Sequence, residues 1–255
     1  MSTPTRVIAH HTLCELDLTH PLIAQALLDP HDMHRLVMRP FHHWVPDGAP
    51  DPRAQMGILH TYAVNLAANT LTLIVQSRVP GDWHALPARA KTTAPSTQTI
   101  DLTIHEGQTF RFRTVINPAR YAPTPAGPRT RSRPADASPA KALEWFTSRL
   151  QPHATPAFDR WPRIGADTDP TTLKAKALVA LTSARRPGIR INRAEVQGQL
   201  TVTDPQAFAT TLTQGLGRSR PYGCGLMLTK TLQITKEQSR DETQAQEASR
   251  PHARV

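Results

Sequence analysis

Apolar and polar positions alternate from Arg6 to Leu18, starting with Val7, and this two-residue period predicts a strand that opens a structural unit. Pro21 to Leu28 is apolar and suits a helix, which must stop at the Asp29-Pro30 step. A residue that precedes proline is pushed out of the helical region, whereas proline itself suits a first helical turn, so a second helix begins near Pro30. That helix carries His31, Asp32, Met33, His34, Arg35 and Leu36. After a polar turn at Pro46 to Pro52, Gly57 to Ala67 and Thr70 to Ser77 read as strands, with Ala68-Asn69 as the hairpin turn between them. In Gln108 to Ile116, Phe110, Phe112 and Thr114 alternate with Arg111, Arg113 and Val115, which predicts a further strand. Strand, helix, two strands and another strand is the order of a split βαββαβ, ferredoxin-like unit.

A break follows. Ala119 to Lys141 holds five prolines and five basic residues, Arg120, Arg129, Arg131, Arg133 and Lys141, against the single acid Asp136. Such a stretch reads as a basic linker or loop. Helical spacing returns at Lys141 to Leu150 through Leu143, Trp145, Phe146 and Leu150. Ala175 to Thr182 and Glu195 to Thr203 then read as strands. Asp204 caps a helix with Pro205 in its first turn and continues to Leu212, and Leu226 to Ile234 supplies a last strand. The expected organisation is a first α+β unit over 1–118, a linker over 119–140, a second α+β unit over 141–235 and a disordered tail over 236–255.

Composition narrows the partner. Thirty Lys and Arg against twenty Asp and Glu give a formal charge of +10 over 255 residues. Four basic and four acidic residues cancel between Lys236 and Val255, so the whole excess belongs to residues 1–235. A basic body of this kind points to a polyanion, nucleic acid above all. Two cysteines, Cys14 and Cys224, are too few for a disulfide framework or a four-cysteine zinc site. No stretch approaches the roughly 20 apolar residues that cross a bilayer, and no secretory signal opens the chain. We therefore expect a cytoplasmic protein with no membrane partner.

Two segments carry candidate chemistry. Gly215-Leu-Gly-Arg-Ser-Arg-Pro-Tyr-Gly-Cys-Gly225 joins a helix to a strand. Gly215, Gly217, Gly223 and Gly225 would let the backbone approach a ligand, and Arg218 and Arg220 would hold its phosphates. A nucleotide-binding fingerprint is excluded, because the segment follows a helix and lacks a Gly-Lys-Ser/Thr ending. The other segment is the helix near Pro30, where His31 and His34 fall three apart on one face. Imidazole titrates near pH 6.5 and can both accept and donate a proton near neutrality. In RNA the 2′-hydroxyl attacks the adjacent phosphorus once a base takes its proton, with no metal or cofactor required. His42 and His43 complete no compact zinc set with this pair. Arg35 beside the histidines, Arg129, Arg131 and Arg133 in the linker, and Arg185, Arg186 and Arg190 before Glu195 are further RNA-contact candidates. Aromatic residues make up only 5% of the chain, which favours recognition of a structured RNA by shape and phosphates over stacking of splayed bases.

The run from Val196 through Thr203-Asp-Pro205, Phe208 and Leu212 to Gly215–Leu226 resembles the C-terminal signature of CasE, the CRISPR-associated endoribonuclease of type I-E systems. Pro30-His-Asp-Met-His-Arg-Leu36, Leu73–Ser77 with Asp82-Trp83, and Arg111-Phe-Arg-Thr-Val-Ile-Asn-Pro118 are similar to further segments of that family, in the same order. The resemblance spans about residues 5 to 232. It implies an α+β protein of two tandem ferredoxin-like (RNA-recognition-motif-like) domains. It implies a metal-independent ribonuclease that cuts the CRISPR repeat RNA at the base of a hairpin. It also implies that the protein then keeps the mature guide as a subunit of Cascade, alongside the other Cascade subunits. His34 matches the catalytic histidine. His31 stands where some members carry a tyrosine, so the second proton-transfer group stays open, and Ala184 to Arg193 offers arginines but no lysine. A non-catalytic RNA-binding subunit of the same architecture is the alternative.

Overall fold

The computed structural model describes residues 2–119, 136–150, 163–184 and 188–232. Arg129, Arg131 and Arg133, Arg185 and Arg186, most of the linker and the tail lie outside them. The first unit runs β1 (Thr5–Asp17), α1 (Pro21–Leu28), α2 (Pro30–Met38), α3 (Pro52–Gln55), β2 (Leu59–Asn65), β3 (Thr70–Ser77) and β4 (Ser96–Ile104). The second runs β5 (Thr109–Ile116), α4 (Pro139–Thr147), β6 (Ala166–Asp167), β7 (Lys174–Thr182), β8 (Arg190–Val202), α5 (Pro205–Gln214) and β9 (Met227–Thr231).

Both sheets are antiparallel and share one topology. The first has the order β2-β3-β1-β4, and in the second the strands lie β7-β8-β5-β9, with the short β6 also paired to β8. Each places its first strand centrally between the third and the fourth, which is the ferredoxin-like arrangement. The first unit departs from it between β3 and β4. Two short 3-10 turns, Trp83–Ala85 and Ala88–Ala90, stand there, since Pro80, Gly81 and Pro87 leave no room for a regular helix.

One assignment from the sequence is corrected. Thr109–Ile116 was expected to close the first unit, but it opens the second as β5, paired with β8 and β9. The fourth strand of the first sheet is β4, which pairs with β1. Its first half, Ser96-Thr-Gln-Thr99, carries no apolar side chain, because β4 is an edge strand and those four residues are exposed. The hydrophobic pattern therefore passed it over.

Period-two burial builds both cores. Cys14, Leu16, Leu71, Leu73 and Val75 of β1 and β3 meet Ile23 and Ala26 of α1 and Met33, Leu36 and Val37 of α2. In the second unit Phe110 and Phe112 of β5 face Trp145 and Phe146 of α4 and Phe208 and Leu212 of α5, with Phe112 and Phe146 stacked at 5.0 Å. Burying each of these aromatic side chains stabilises the fold by roughly 1.5–3 kcal/mol. Val7 of β1 and Ile104 of β4 join this second cluster, and Gln76 Nε2 of β3 donates to the Leu212 carbonyl at 2.7 Å, so the two units dock through buried contacts. Among the described residues, no helix is long and apolar enough to cross a membrane.

Candidate active site

Asp29 sets where α2 begins. Its backbone is extended and its buried carboxylate accepts the His31 N–H at 2.8 Å, while Pro30 fills the first turn. The second carboxylate oxygen accepts from Ser183 Oγ at 2.8 Å, just past the end of β7, so the second unit holds the start of this helix. Met33, Leu36 and Val37 bury one face of α2 and leave His31 and His34 together on a neighbouring face.

That face meets the glycine-rich loop. The Tyr222 hydroxyl lies 3.5 Å from His31 Nδ1, at the outer limit of a hydrogen bond, and the two rings meet edge-on with centroids 5.3 Å apart. His31 Nε2 is buried without a hydrogen-bond partner. At His34, burial lowers the proton affinity of the imidazole most, followed by the positive Arg53, with smaller contributions from His31 and Arg35 and an opposing one from Asp51. A histidine held in its neutral form near pH 7 is suited to accept a proton.

Beneath the pair lies His60 of β2, only 1% exposed, its Nε2 unpartnered. Burial, then the charges of His34, Arg53 and Arg193, push its pKa down to about 3. Arg193 of β8 crosses to the first unit, donating to the Tyr62 hydroxyl at 3.2 Å and to the Val179 carbonyl at 3.1 Å, with its guanidinium 5.4 Å from the Tyr62 ring centroid.

Gly223 shows why the loop must be glycine at this point. Its φ is +79°, and a Cβ there would stand 3.3 Å from Tyr62 and 3.4 Å from His60 Nε2. Gly225, at φ +89°, would place a Cβ 2.6 Å from the Leu216 carbonyl. Added Cβ atoms at Gly215 and Gly217 would likewise strike the protein itself, at Leu59 and Trp145. The expected close approach to a ligand is thus, for most of these glycines, a close approach to the protein's own side chains and backbone.

The arginines read from the sequence separate into different settings. Arg35 is exposed and pairs with Asp32 at 3.2 Å. Arg190 is exposed and donates to Asn192. Arg218 and Arg220 lie in the loop, but Arg220 donates to the Gln214 and Gly217 carbonyls at 2.8 and 3.0 Å, so it is partly a strut. Arg53, His60 and Tyr62 were not singled out from the sequence, and Arg193 entered only as the end of the arginine-rich stretch that begins at Ala184. Only His60, a polar residue at the end of the apolar run Ile58-Leu59, offered a signal. Among the described residues, no three His, Cys, Asp or Glu side chains gather as metal ligands do.

The outer face of the second sheet is basic as well. Cross-strand register sets Arg111 opposite Lys230, and Arg111, Arg113, Lys174 and Lys230 line a groove of about 740 Å³. Like charges directly opposite on a sheet are destabilising unless an anion offsets them.

Burial of the histidines gives an expected pH dependence. The imidazoles of His11, His34 and His60 have proton affinities lowered chiefly by burial, so below their ordinary value of 6.5 the unfolded chain takes up protons that the folded chain refuses. Stability is full above pH 6.5 and is lost as pH falls, for His60 down to about 3, at about 1.4 kcal/mol per pH unit. Thermal melts from pH 7 to 4.5 should show a falling midpoint, with a shallower slope in His60→Gln. A flat profile in the parent protein would contradict this burial.

Fold and site together define a class: a tandem α+β protein that carries a histidine pair, a glycine-rich loop and basic surfaces. The profile of a family described as CRISPR associated protein matches residues 10–230, and the chain belongs to that family. A comparison with curated protein sequences finds no significant match. Among solved structures, CRISPR endoribonuclease Cse3 bound to a 19-nucleotide RNA is similar at 19% identity and a TM-score of 0.65, over 88% of this chain and 98% of that one. Thermus thermophilus Cse3, bound to an RNA representing a pre-cleavage complex, matches at 20% identity and a TM-score of 0.58 over the same shares. A chain of a CRISPR RNA-guided surveillance complex matches at 19% identity and a TM-score of 0.59, over 88% of this chain and all of that one.

Proposed function

We propose that this protein is a metal-independent endoribonuclease that cuts CRISPR precursor RNA within each repeat, at the base of a hairpin, and stays with the mature guide as a Cascade subunit in the cytoplasm. The observation that carries the reading is His34, an imidazole biased to its neutral form, beside His31, which meets Tyr222 of the glycine-rich loop. His34 takes the proton of the 2′-hydroxyl. The 2′-oxygen then bonds to phosphorus, the bond from phosphorus to the 5′-oxygen breaks, and that oxygen leaves with a proton. In this reading His31, set edge-on against Tyr222, supplies that proton. Arginines stabilise the charge that develops on the phosphoryl oxygens. The RNA-bound relatives and the surveillance complex support both the substrate and the retention of the product.

The test is incubation of the purified full chain, in enzyme excess and with EDTA, with its cognate repeat hairpin and with a variant whose stem cannot pair. A single cut at the base of the paired hairpin, and little on the unpaired RNA, is expected. Binding without any cut would leave the protein an RNA-holding subunit.

A further inference from the structure

We propose that a cavity between α3 and the C-terminal end of α5, lined by Arg53, Arg78 and Arg220, is a phosphate site that seats one phosphodiester of the RNA near the phosphate that reacts. The inference rests on the proposed RNA substrate and adds a second anchoring point to it. The cavity measures about 260 Å³, and Ala54, Gly57, Thr213 and Gln214 complete its wall. It has room for a phosphate and carries no aromatic ring on which a base could stack. His34 does not line it, so its occupant is a neighbour of the reacting phosphate.

Three guanidinium groups meet here with little to balance them. Asp51 approaches Arg53 only to 3.7 Å, with its own side chain 64% exposed, and among the described residues neither Arg78 nor Arg220 has a carboxylate partner. Arg53 is 7% exposed, its Nε is buried without a partner, and one of its terminal nitrogens donates to the Ile58 carbonyl at 2.8 Å. Burial and the nearby charge of Arg220 both lower its proton affinity. A buried guanidinium so poorly compensated is costly to the folded protein, and an anion in the cavity would relieve it.

Two of the groups, Arg53 and Arg220, are also held in place before any ligand arrives. Arg220 is braced by the Gln214 and Gly217 carbonyls. The stem of Arg78 lies across Gly57, where a Cβ would come within 2.7 Å of Arg78 Cγ and where φ is +63°. Rigid donors lose less freedom on binding than mobile ones. Of polyanions, an RNA strand is the occupant that continuity favours. Arg220 shares its loop with Tyr222, which touches His31, and Arg53 is near enough to His34 to depress its proton affinity.

The test uses cognate hairpins that carry a single neutral methylphosphonate at successive positions around the cut. For the parent protein, one position away from the scissile phosphate should lose roughly tenfold in affinity, the scale of one charge-assisted contact. Arg78→Ala should bind unmodified RNA about tenfold more weakly and show no further loss at that position. Arg78 is exposed, so its replacement is expected to leave the melting temperature unchanged, and Arg89→Ala serves as a charge-matched control that binds as the parent does. Arg78→Ala that matches the parent on every RNA, or whose penalties simply add at every position, would overturn the phosphate site and leave the cleavage reading standing. A parent protein that neither binds nor cuts the hairpin would overturn both.

Discussion

A hairpin RNA that lacks one 2′-hydroxyl, at the nucleotide immediately 5′ of the cut, is bound with close to unmodified affinity and is not cleaved. The proposed nucleophile is that oxygen, and no other group in the substrate can reach the same phosphorus from the opposite side of the leaving 5′-oxygen. Affinity survives because binding rests on phosphate contacts from the basic body, and those are untouched by loss of one hydroxyl. The comparison is made in single-turnover reactions with both RNAs, with binding measured in parallel. Cleavage of the deoxy RNA at the same bond would mean that water or an external hydroxyl is the attacking group.

His34→Ala lowers the single-turnover rate by roughly a hundredfold or more, the usual worth of a general acid or base, while hairpin affinity stays within a few-fold. The side chain lies on a neighbouring face of α2 to Met33, Leu36 and Val37, so its removal leaves the core contacts of the helix in place. Removing the imidazole also takes away a group whose charge bears on His60. A thermal melt of the same variant separates a chemical loss from a loss of fold. His31→Ala should cost about as much if His31 protonates the leaving oxygen, and less if it only orients the strand. A His34→Ala protein that cuts at the parent rate would make this chain the RNA-holding subunit of the alternative reading, or move the chemistry to another residue.

Much of this architecture is legible along the chain, for reasons that can be stated residue by residue. The Asp29-Pro30 and Asp204-Pro205 steps mark α2 and α5 because an aspartate cap and a proline in the first turn act locally. The hairpin at Ala68-Asn69 is local too, with Asn69 in the left-handed region at φ 50°. Which sheet a strand joins is not local. Phe110, Phe112 and Thr114 announce a strand, but only the docking of Phe112 on Phe146 and the pairing with β8 and β9 assign it to the second unit. The polar edge strand β4 carries a hydrophobic signal only in its second half.

The candidate site divides in the same way. His31 and His34 share a short helix, so their spacing alone places them together. His60, Arg53 and Arg193 arrive from β2, α3 and β8, and nothing in the local pattern of any of these segments foretells that they converge. The arginine-rich cavity could not be read from the chain either, since Arg53, Arg78 and Arg220 are widely separated and only Arg220, in the glycine-rich loop, stands out along the chain. Burial is what distinguishes Arg53, and burial belongs to the folded state.

The central claim, that this protein turns an RNA strand into its own nucleophile, is tested most directly by the chemistry of the ends it leaves. The purified full chain is incubated with end-labelled cognate repeat hairpin in the presence of EDTA, and the products are resolved before and after phosphatase treatment. The account predicts a 2′,3′-cyclic phosphate on the upstream fragment and a 5′-hydroxyl on the downstream one. A 3′-hydroxyl paired with a 5′-phosphate would contradict it.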